Sequence, residues 1–272
     1  MGARAALSTA LSYRHKKVQR LRQLAGRTSA RSAEGAFVVE GAKVLSEALA
    51  AGAGVEAVYA APGAPADLLA RAAASGARVH DLAPGVLERV AGTVTPQPVI
   101  AVVRTIDVPL DHLRGARLVV VCVDVRDPGN AGTVLRSAEA AGAGGVLFCN
   151  GSVDVYNPKT VRASAGSLFH VPVVAGVDAG DGLEHLGAWG LRRLGTAAGR
   201  GEDYTTVDLA APTALVLGNE ASGLPDHLAA AGLLDGEVTI PMTGRSESLN
   251  VGMAAAVLCF EAARQRAVKA HR

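Results

Sequence analysis

Three short stretches in the second half of the chain carry residue types that could bind and activate a substrate. The first, residues 127–136, reads Asp-Pro-Gly-Asn-Ala-Gly-Thr-Val-Leu-Arg and follows an apolar run that predicts a buried strand. It also opens a predicted helix, which is where parallel α/β sheets place their ligands. Arg136 lies about 9 Å beyond Asn130 along a helix axis, and its guanidinium could bind a phosphate through two hydrogen bonds. A helix capped by Asn130 with a surface arginine would show the same residues.

The second stretch, residues 215–224, places an acidic side chain just after a predicted buried strand. The strand ends at Gly218, whose missing side chain would let a ligand approach the backbone closely. Glu220 follows, and its carboxylate could orient a hydroxyl or hold a cationic group. A solvated loop carboxylate is the alternative interpretation of the same residue.

The third stretch, residues 240–251, connects a short predicted strand to a long Ala-rich helix that we expect over residues 248–266. Ser248 is the predicted N-cap of this helix, and Asn250 lies in its expected first turn. The backbone amides at such a helix start can bind a carboxylate or a phosphate. Simple capping of the helix by Ser248 explains the same residues.

Other kinds of site leave no signature in the sequence. Both the GxGxxG dinucleotide fingerprint and the GxxxxGK[ST] phosphate loop are missing. Cys122, Cys149 and Cys259 are far apart and form no CxxC pair, so we expect buried thiols in a reducing compartment and no metal site. No apolar stretch reaches the ~20 residues that span a bilayer, and no secretory signal is visible. We therefore expect a cytoplasmic protein without a membrane partner.

Composition and periodicity predict how these residues are held. The 272 residues are 49% hydrophobic but only 3% aromatic, which favours closely packed helix-on-sheet layers over a β-sandwich. Residues 1–104 alternate between predicted strands and helices, and the polar residues 105–116 are the expected linker. From residue 117 the alternation restarts with longer apolar runs, which are typical of parallel strands covered on both faces. The predicted fold class is α/β with two domains.

The start of the chain is rich in basic residues, and a short basic helix is expected over residues 14–31. Residues 1–33 contain no acidic residue. The basic residues in this block are Arg4, Arg14, Lys16, Lys17, Arg20, Arg22, Arg27 and Arg31. Such a block attracts a polyanion such as nucleic acid. A transit peptide or a merely solvated helix face can have a similar composition.

The order and spacing of the three stretches resemble the motifs of the SpoU/TrmH-type RNA ribose 2′-O-methyltransferases of the SPOUT superfamily. The matching patterns are Asn130-x-Gly132-x-x-x-Arg136, Leu217-Gly218-x-Glu220-x-x-Gly223, Ile240-Pro241-Met242 and Ser248-Leu249-Asn250-Val251. Residues 162–173 and Gly195-Thr196 are similar to further segments of the family. Gly252 departs from the family pattern, which commonly has a side chain there.

The first half of the chain resembles the small substrate-binding domain that accompanies these enzymes. The matching residues are 37–41, Glu47-Ala48, Thr95-Pro96-Gln97 and Ala101-Val102. Pro98 stands where the family frequently has glycine. Because the basic helix directly precedes matched residues, the resemblance argues against a transit peptide. It implies an RNA substrate-binding domain over residues 1–104 and a methyltransferase domain over residues 117–272.

The resemblance also implies a fold, a cofactor and a set of site residues. The fold would be a mostly parallel sheet with a trefoil knot, and the cofactor would be S-adenosylmethionine. The implied cofactor-binding residues are Thr196, Leu217, Gly218, Ile240, Met242 and Leu249. The implied catalytic residues are Arg136, Asn130, Glu220, Ser248 and Asn250. Arg136 would bind the phosphate and activate the ribose 2′-hydroxyl, either as a base or electrostatically, while the other four orient it and the ribose.

The partners implied by the resemblance are RNA and a second copy of the chain. Ribosomal RNA is expected rather than transfer RNA, because a separate basic domain suits a folded RNA recognised by shape and phosphate. A homodimer formed through the C-terminal domain is typical of the family. A non-catalytic RNA-binding protein on the same fold is one alternative, and retention of all three motifs argues against it. A nicotinamide-dependent enzyme is disfavoured by the missing glycine fingerprint.

Overall fold

The structure, a computed structural model, describes residues 10–91 and 96–270. Its contacts divide the chain into two compact units, of which the second consists of Asp107–Val155 and the residues from Ala163 onward. Both units are built from helices and strands, so the predicted α/β class is confirmed. None of the helices in these ranges is long and apolar enough to cross a membrane. Arg4 of the basic block and Thr95 of the family match lie outside the described residues.

The first unit contains a four-stranded sheet between two helical layers. Its strands are β1 (Ala36–Glu40), β2 (Val55–Ala60), β3 (Arg78–Asp81) and β4 (Val99–Arg104), in the order β1-β4-β2-β3. Its helices are α1 (Lys16–Gly26), α2 (Thr28–Glu34), α3 (Ala42–Ala50), α4 (Ala66–Ala74) and α5 (Val86–Val90). β4 is antiparallel to β1 and to β2, whereas β3 is parallel to β2. Helix α1 packs on β1 and α5, while α3 and α4 pack on each other and on the sheet.

The basic block folds differently from the single helix that we predicted. The chain leaves helical geometry at Arg27, with φ −131° and ψ 120°, so α1 and α2 are separate helices. Val18, Leu21 and Leu24 of α1 are spaced by three residues and lie fully buried against the sheet. Arg31 is also buried and donates a hydrogen bond to the Leu24 carbonyl oxygen at 2.7 Å. Arg31 is therefore a structural residue and adds nothing to the basic surface.

The second unit is organised around a seven-stranded sheet in which every described strand pair is parallel. Its strands are β5 (Leu118–Cys122), β6 (Gly145–Cys149), β7 (Val173–Val177), β8 (Arg192–Thr196), β9 (Glu202–Asp203), β10 (Thr213–Leu217) and β11 (Gly236–Thr239). The order is β7-β6-β5-β10-β8-β11-β9. Its helices are α6 (Pro128–Ala140), α8 (Ala179–Ala188), α9 (Asp226–Ala230) and α10 (Val251–Ala270), and α7 (Pro158–Ala163) falls almost wholly in the first unit.

Helices cover the sheet of the second unit on both faces, which is why its central strands are buried throughout and almost wholly apolar. Every residue of β5, β6 and β10 is buried. Helices α6 and α10 pack on each other and on this sheet, while Leu183 and Leu186 of α8 join a separate core cluster with alternate strand residues. The three cysteines are buried and unpaired as predicted, and burial raises the pKa of Cys149 and of Cys259 to about 12.

Candidate functional site

Polar side chains from three distant parts of the second unit form a hydrogen-bonded series. Asn250 donates through Nδ2 to Oδ1 of Asn130 at 2.7 Å, and Asn130 donates through Nδ2 to Oε1 of Glu220 at 3.0 Å. Asn130 lies at the start of α6, Asn250 directly precedes α10, and Glu220 lies in the loop after β10. The structure therefore brings three of the predicted catalytic residues into contact, and it satisfies the amide of Asn130, which is only 8% exposed.

Two carboxylates hold the start of α6. Asp127 caps the helix, and not Asn130, which the sequence offered only as an alternative cap, because the Asp127 side chain accepts a hydrogen bond from the Asn130 backbone N–H at 2.8 Å. Glu220 accepts hydrogen bonds from the backbone N–H groups of Arg126 at 3.2 Å and of Asp127 at 3.0 Å. With its backbone satisfied by the cap, Asn130 uses its side chain to connect Glu220 with Asn250.

The start of α10 also differs from the prediction. The helix begins at Val251, and its cap is Asn250 rather than Ser248. The Asn250 Oδ1 accepts hydrogen bonds from the backbone N–H groups of Gly252 at 2.9 Å and of Met253 at 3.3 Å. Because the cap already satisfies these two amides, they do not provide the anion site that the sequence suggested.

The surroundings of Glu220 favour its charged form. Burial by itself would raise the pKa of this carboxyl group. Hydrogen bonds from the Asn130 side chain and from the backbone N–H groups of Asp127 and Arg126 outweigh burial and hold the pKa below its usual value of 4.5. An ionised carboxylate makes stronger hydrogen bonds than a neutral group. Glu220 is therefore an exposed loop carboxylate that also ties the loop after β10 to the start of α6.

We expect Glu220→Gln to destabilise the protein near neutral pH by about 0.5–1.5 kcal/mol, because an amide cannot accept all three hydrogen bonds and solvent screens this exposed group. The contribution of a lowered pKa is fully present above the unfolded-state value of about 4.5 and is lost as the pH falls through the folded-state pKa. The difference in unfolding free energy between wild type and variant should therefore narrow as the pH falls through the folded-state pKa of Glu220. Urea unfolding at a series of pH values measures this difference. The control is Glu88→Gln, which removes another exposed carboxylate. A difference that stays constant into acid would contradict this account of Glu220.

The backbone after β10 folds back on itself at Gly218. Asn219 and Gly223 exchange two backbone hydrogen bonds of 3.0 Å. A Cβ at Gly218 would lie 2.3 Å from the carbonyl carbon of Gly223 and 2.4 Å from the nitrogen of Leu224. Asn219, which we did not predict as a site residue, also donates to the Asp124 carbonyl oxygen at 2.9 Å. The available signal was an asparagine next to a glycine in a turn, since asparagine side chains commonly bond nearby backbone.

The loops that follow β10, β8 and β11 enclose a cavity. It lies at the carboxyl ends of these three adjacent parallel strands. All six predicted cofactor-binding residues lie in its wall: Thr196, Leu217, Gly218, Ile240, Met242 and Leu249. Glu220 and Ser248 lie in the same wall, so the cavity has an apolar side and a polar side. Wall residues that the sequence did not single out include Asn219, Glu247 and Leu258. The position agrees with the rule that parallel sheets bind ligands beyond the carboxyl ends of their strands.

Arg136 stands apart from the other predicted catalytic residues. It is exposed on α6, lies outside the cavity wall, and forms no hydrogen bond or ion pair with another residue in the described ranges. Thr133 precedes it by three residues, so both side chains lie on one flank of α6. A Cβ at Gly252 would lie 2.8 Å from the Thr133 Cβ, which places that flank beside α10. The guanidinium is thus left open to a substrate at the edge of the α6–α10 contact.

Close packing explains two glycines near the site. A Cβ at Gly132 would lie 2.4 Å from the Cβ of Ala163, so α6 approaches the backbone there as closely as a glycine allows. At Gly252, where the sequence departs from the family pattern, Thr133 fills the space that a side chain would take. The departure therefore reflects how α10 packs on α6 and leaves Asn250 in place.

Family models match both halves of the chain. The model of the SpoU rRNA Methylase family matches residues 117–260, which contain the cavity and the hydrogen-bonded series. The model of the MRM3-like substrate binding domain matches residues 15–101. The two matches agree with the two-part resemblance that the motifs indicated.

Individual proteins resemble the chain over most of its length. A 23S rRNA (guanosine(2553)-2′-O)-methyltransferase of Bacillus subtilis is 34% identical over 82% of this chain and 87% of its own. A 23S rRNA (uridine(2479)-2′-O)-methyltransferase of Streptomyces viridochromogenes is 32% identical over 97% of this chain and 95% of its own. The crystal structure of an AdoMet-bound rRNA methyltransferase from Sinorhizobium meliloti superimposes with a TM-score of 0.81 at 31% identity, covering 92% and 95% of the two chains. Two motif stretches line one cavity, the third is hydrogen-bonded to them through Asn130, and a family model matches more than half of the residues, so the chain belongs to the SpoU rRNA methylase family.

Proposed function

We infer that this protein transfers a methyl group from S-adenosylmethionine to a ribose 2′-hydroxyl of ribosomal RNA. The observation that carries the inference is the cavity beyond β10, β8 and β11, whose wall combines the six predicted cofactor-binding residues with Glu220 and Ser248. Family membership supports the same reaction. A non-catalytic RNA-binding protein would not need this combination of an apolar wall and a hydrogen-bonded polar edge.

The cavity fits the chemistry of the cofactor. Leu217, Ile240, Met242 and Leu249 present apolar surface of the kind that suits an adenine ring. The backbone of Gly223 and Leu224, and not a ligand as the sequence suggested, fills the space beside Gly218, and this close packing shapes the cavity wall. When bound, S-adenosylmethionine supplies a methyl group that is already activated by a sulfonium. The protein itself must then position the ribose and help its hydroxyl to lose a proton.

We propose that Arg136 and the hydrogen-bonded series perform these tasks. An exposed guanidinium without a carboxylate partner in the described part of the chain is suited to bind a phosphate next to the reacting ribose. The hydrogen bonds that join Asn130 to Glu220 and Asn250 hold the start of α6 in place relative to α10. Arg136 lies farther along α6. Ser248 lies in the cavity wall, where its hydroxyl can orient the ribose.

We do not assign the modified nucleotide from the relatives, because their names give different nucleotides. One relative is named for a guanosine and another for a uridine, at different positions of 23S rRNA. We propose 23S ribosomal RNA as the substrate class, with transfer RNA as the alternative, and the cytoplasm as the compartment. We also propose that the first unit, matched by a substrate-binding domain model, is the part that holds the RNA. The trefoil knot implied by the resemblance stays a prediction.

Mapping of 2′-O-methyl groups in total RNA tests this function. RNA from cells with and without the gene, and a 23S transcript incubated with purified protein and S-adenosylmethionine, should differ at one ribose. The cell-free reaction assigns the product to this protein rather than to an indirect effect. A complete and active preparation that leaves 23S RNA unmodified but methylates transfer RNA would move the assignment to the alternative, and failure to bind S-adenosylmethionine would favour a non-catalytic protein.

We propose that the protein forms a homodimer through α10. The three large hydrophobic side chains that are mainly exposed within the described ranges, Met253, Phe260 and Val268, all lie on this helix. Met253 and Phe260 are seven residues apart and 60% and 53% exposed, so they share one face of α10. Gly252, next to Met253 in the chain, packs against Thr133 on the flank of α6 that carries Arg136, so we infer that a second copy on α10 would help to shield the reacting groups from water.

A double variant of Met253 and Phe260 tests the dimer. We expect the wild type to sediment as a dimer, and Met253→Glu with Phe260→Glu to sediment as a monomer, because two charges would be buried in the interface. Ala229→Glu with Ala230→Glu, two exposed positions on α9, should affect assembly less. Sedimentation of the wild type as a monomer at micromolar concentration would contradict the proposal.

A further inference from the structure

The first unit carries an aromatic ring flanked by two arginines that the proposed chemistry does not use. Tyr13 lies just before α1, and the guanidinium carbon of Arg89 is 3.7 Å from the centre of its ring. The guanidinium carbon of Arg22 is 4.6 Å from the same centre. Arg22 comes from α1 and Arg89 from α5, so the fold gathers the three side chains from separate elements. Both distances are in the range of a cation–π interaction.

The arrangement is fixed by hydrogen bonds and packing. Gln19 donates through Nε2 to the carbonyl oxygen of Tyr13 at 2.7 Å and accepts at Oε1 from Arg22 at 2.9 Å. The Tyr13 ring is half-buried and packs against the core that α1 and α5 share with the sheet. Gln19 thereby positions both the ring and one of the guanidinium groups. We call Tyr13, Gln19, Arg22 and Arg89 the Tyr13 cluster.

Among the described residues, no carboxylate forms an ion pair with the arginines of the Tyr13 cluster. Arg20, on the same helix, is bonded by the carboxylates of Glu34 at 2.5 Å and Glu56 at 2.9 Å. In contrast, Arg22 and Arg89 have no carboxylate partner in the described ranges, although Glu88 is adjacent in sequence. Two like charges held against one ring repel each other. An anion bound between them would remove this repulsion.

A shallow cleft beside the cluster has the chemistry to receive such an anion. It is lined by Ser12, Tyr13, Arg14, Gln19 and Arg89. Arg14 adds a third cation without a carboxylate partner in the described part of the chain, and Ser12 adds a hydroxyl donor. Arginine binds phosphate oxygens through paired hydrogen bonds. Because guanidinium groups already lie against the ring, Tyr13 serves the arginines and is not a platform for a base.

We propose that the Tyr13 cluster is a docking site for a backbone phosphate of the RNA substrate, with Tyr13 and Gln19 presenting Arg22 and Arg89 to it. This inference rests on the proposed function and adds to it a named contact outside the catalytic cavity. A phosphate contact fixes the register of an RNA without reading its bases. The cluster should therefore contribute to RNA affinity and not to the chemical step.

Filter binding of the full chain to a 23S rRNA transcript over a range of KCl concentrations tests the proposal. The double variant Arg22→Gln, Arg89→Gln should raise the dissociation constant for the RNA about tenfold or more. The slope of the logarithm of the association constant against the logarithm of the KCl concentration should become shallower by about one per arginine. Tyr13→Leu should also weaken binding, whereas Tyr13→Phe, which keeps the ring, should bind as wild type does. Arg71→Gln is the matched control for loss of a surface arginine. Arg71 lies on α4, in the helical layer that does not contain α1 and α5.

Steady-state kinetics separate this role from a merely structural one. The double arginine variant should raise KM for the RNA while kcat at saturating RNA and the affinity for S-adenosylmethionine stay at wild-type values. Both arginines are exposed, so the variant should retain the wild-type melting temperature. If wild type binds and methylates RNA but the variants match it in affinity and salt dependence, this inference fails and the proposed function stands. If wild type itself does not bind RNA, both fail.

Discussion

Arg136→Ala is expected to reduce methyl transfer by about 10³-fold or more while leaving the affinity for S-adenosylmethionine nearly unchanged. Loss of one preorganised group that stabilises charge in a transition state typically costs 10²–10³-fold, and this side chain would also bind the neighbouring phosphate. Because Arg136 is exposed and lies outside the cavity wall, its removal should disturb neither the fold nor the cofactor site. Single-turnover methylation of a 23S transcript and calorimetry with S-adenosylmethionine measure the two quantities.

Two further variants define what Arg136 contributes. Arg136→Lys keeps a positive charge but loses the paired geometry, so it should fall between wild type and alanine if charge is what matters. Arg126→Ala removes another exposed arginine of the same unit, one that is already paired with Asp124 at 2.8 Å, and should cost much less. Turnover by Arg136→Ala at the wild-type rate would remove this residue from the mechanism and leave the cofactor site intact.

Gly218→Ala is expected to abolish cofactor binding. The added Cβ would lie 2.3 Å from the carbonyl carbon of Gly223, far inside van der Waals contact. The backbone at Gly218 and the backbone at Gly223 cannot easily move apart, because Asn219 and Gly223 are joined by two backbone hydrogen bonds. The loop that carries Glu220 must therefore shift, and this shift would displace the part of the cavity wall that we propose binds the cofactor. Calorimetric titration with S-adenosylmethionine measures the loss of affinity directly.

A neighbouring glycine provides the control. Gly244 lies in the loop between β11 and α10, and a Cβ there would meet no atom within 4 Å. Gly244→Ala should therefore bind cofactor as wild type does. Thermal melting of both variants distinguishes a local shift from unfolding, since overpacking costs about 1–3 kcal/mol and leaves most domains folded. A folded Gly218→Ala variant with wild-type affinity would show that the loop does not form the cofactor site.

The sequence alone was sufficient for the fold class, and it indicated part of the cavity wall. Uninterrupted apolar runs predicted β5, β6 and β10 as strands buried on both faces, and the structure confirms them. The predicted cofactor-binding residues came from the family resemblance rather than from periodicity. They lie in one wall because the ends of neighbouring parallel strands meet at one edge of a sheet.

Helix α8 shows where local signals were too weak. It contains Gly180, Gly182 and Gly187, which lower helix propensity, so no helix was predicted there. Asp178 caps it by accepting a hydrogen bond from the Gly180 N–H at 2.8 Å. A Cβ at Gly182 would lie 2.8 Å from a side-chain carbon of Leu147. Tertiary packing on the sheet therefore selects glycine at a position where helix propensity disfavours it.

The caps and contacts of the site depended on partners that local sequence does not reveal. Asn130 bonds Glu220 and Asn250, which are 90 and 120 residues away, so Asp127 takes over the cap of α6. Likewise, only the packing of α1 on α5 places Arg89 beside Tyr13. The sequence thus determined which residues occupy strand ends and helix starts, because periodicity and turn chemistry are local. The tertiary structure decided which of their side chains meet, because long-range contacts form only once the chain has folded.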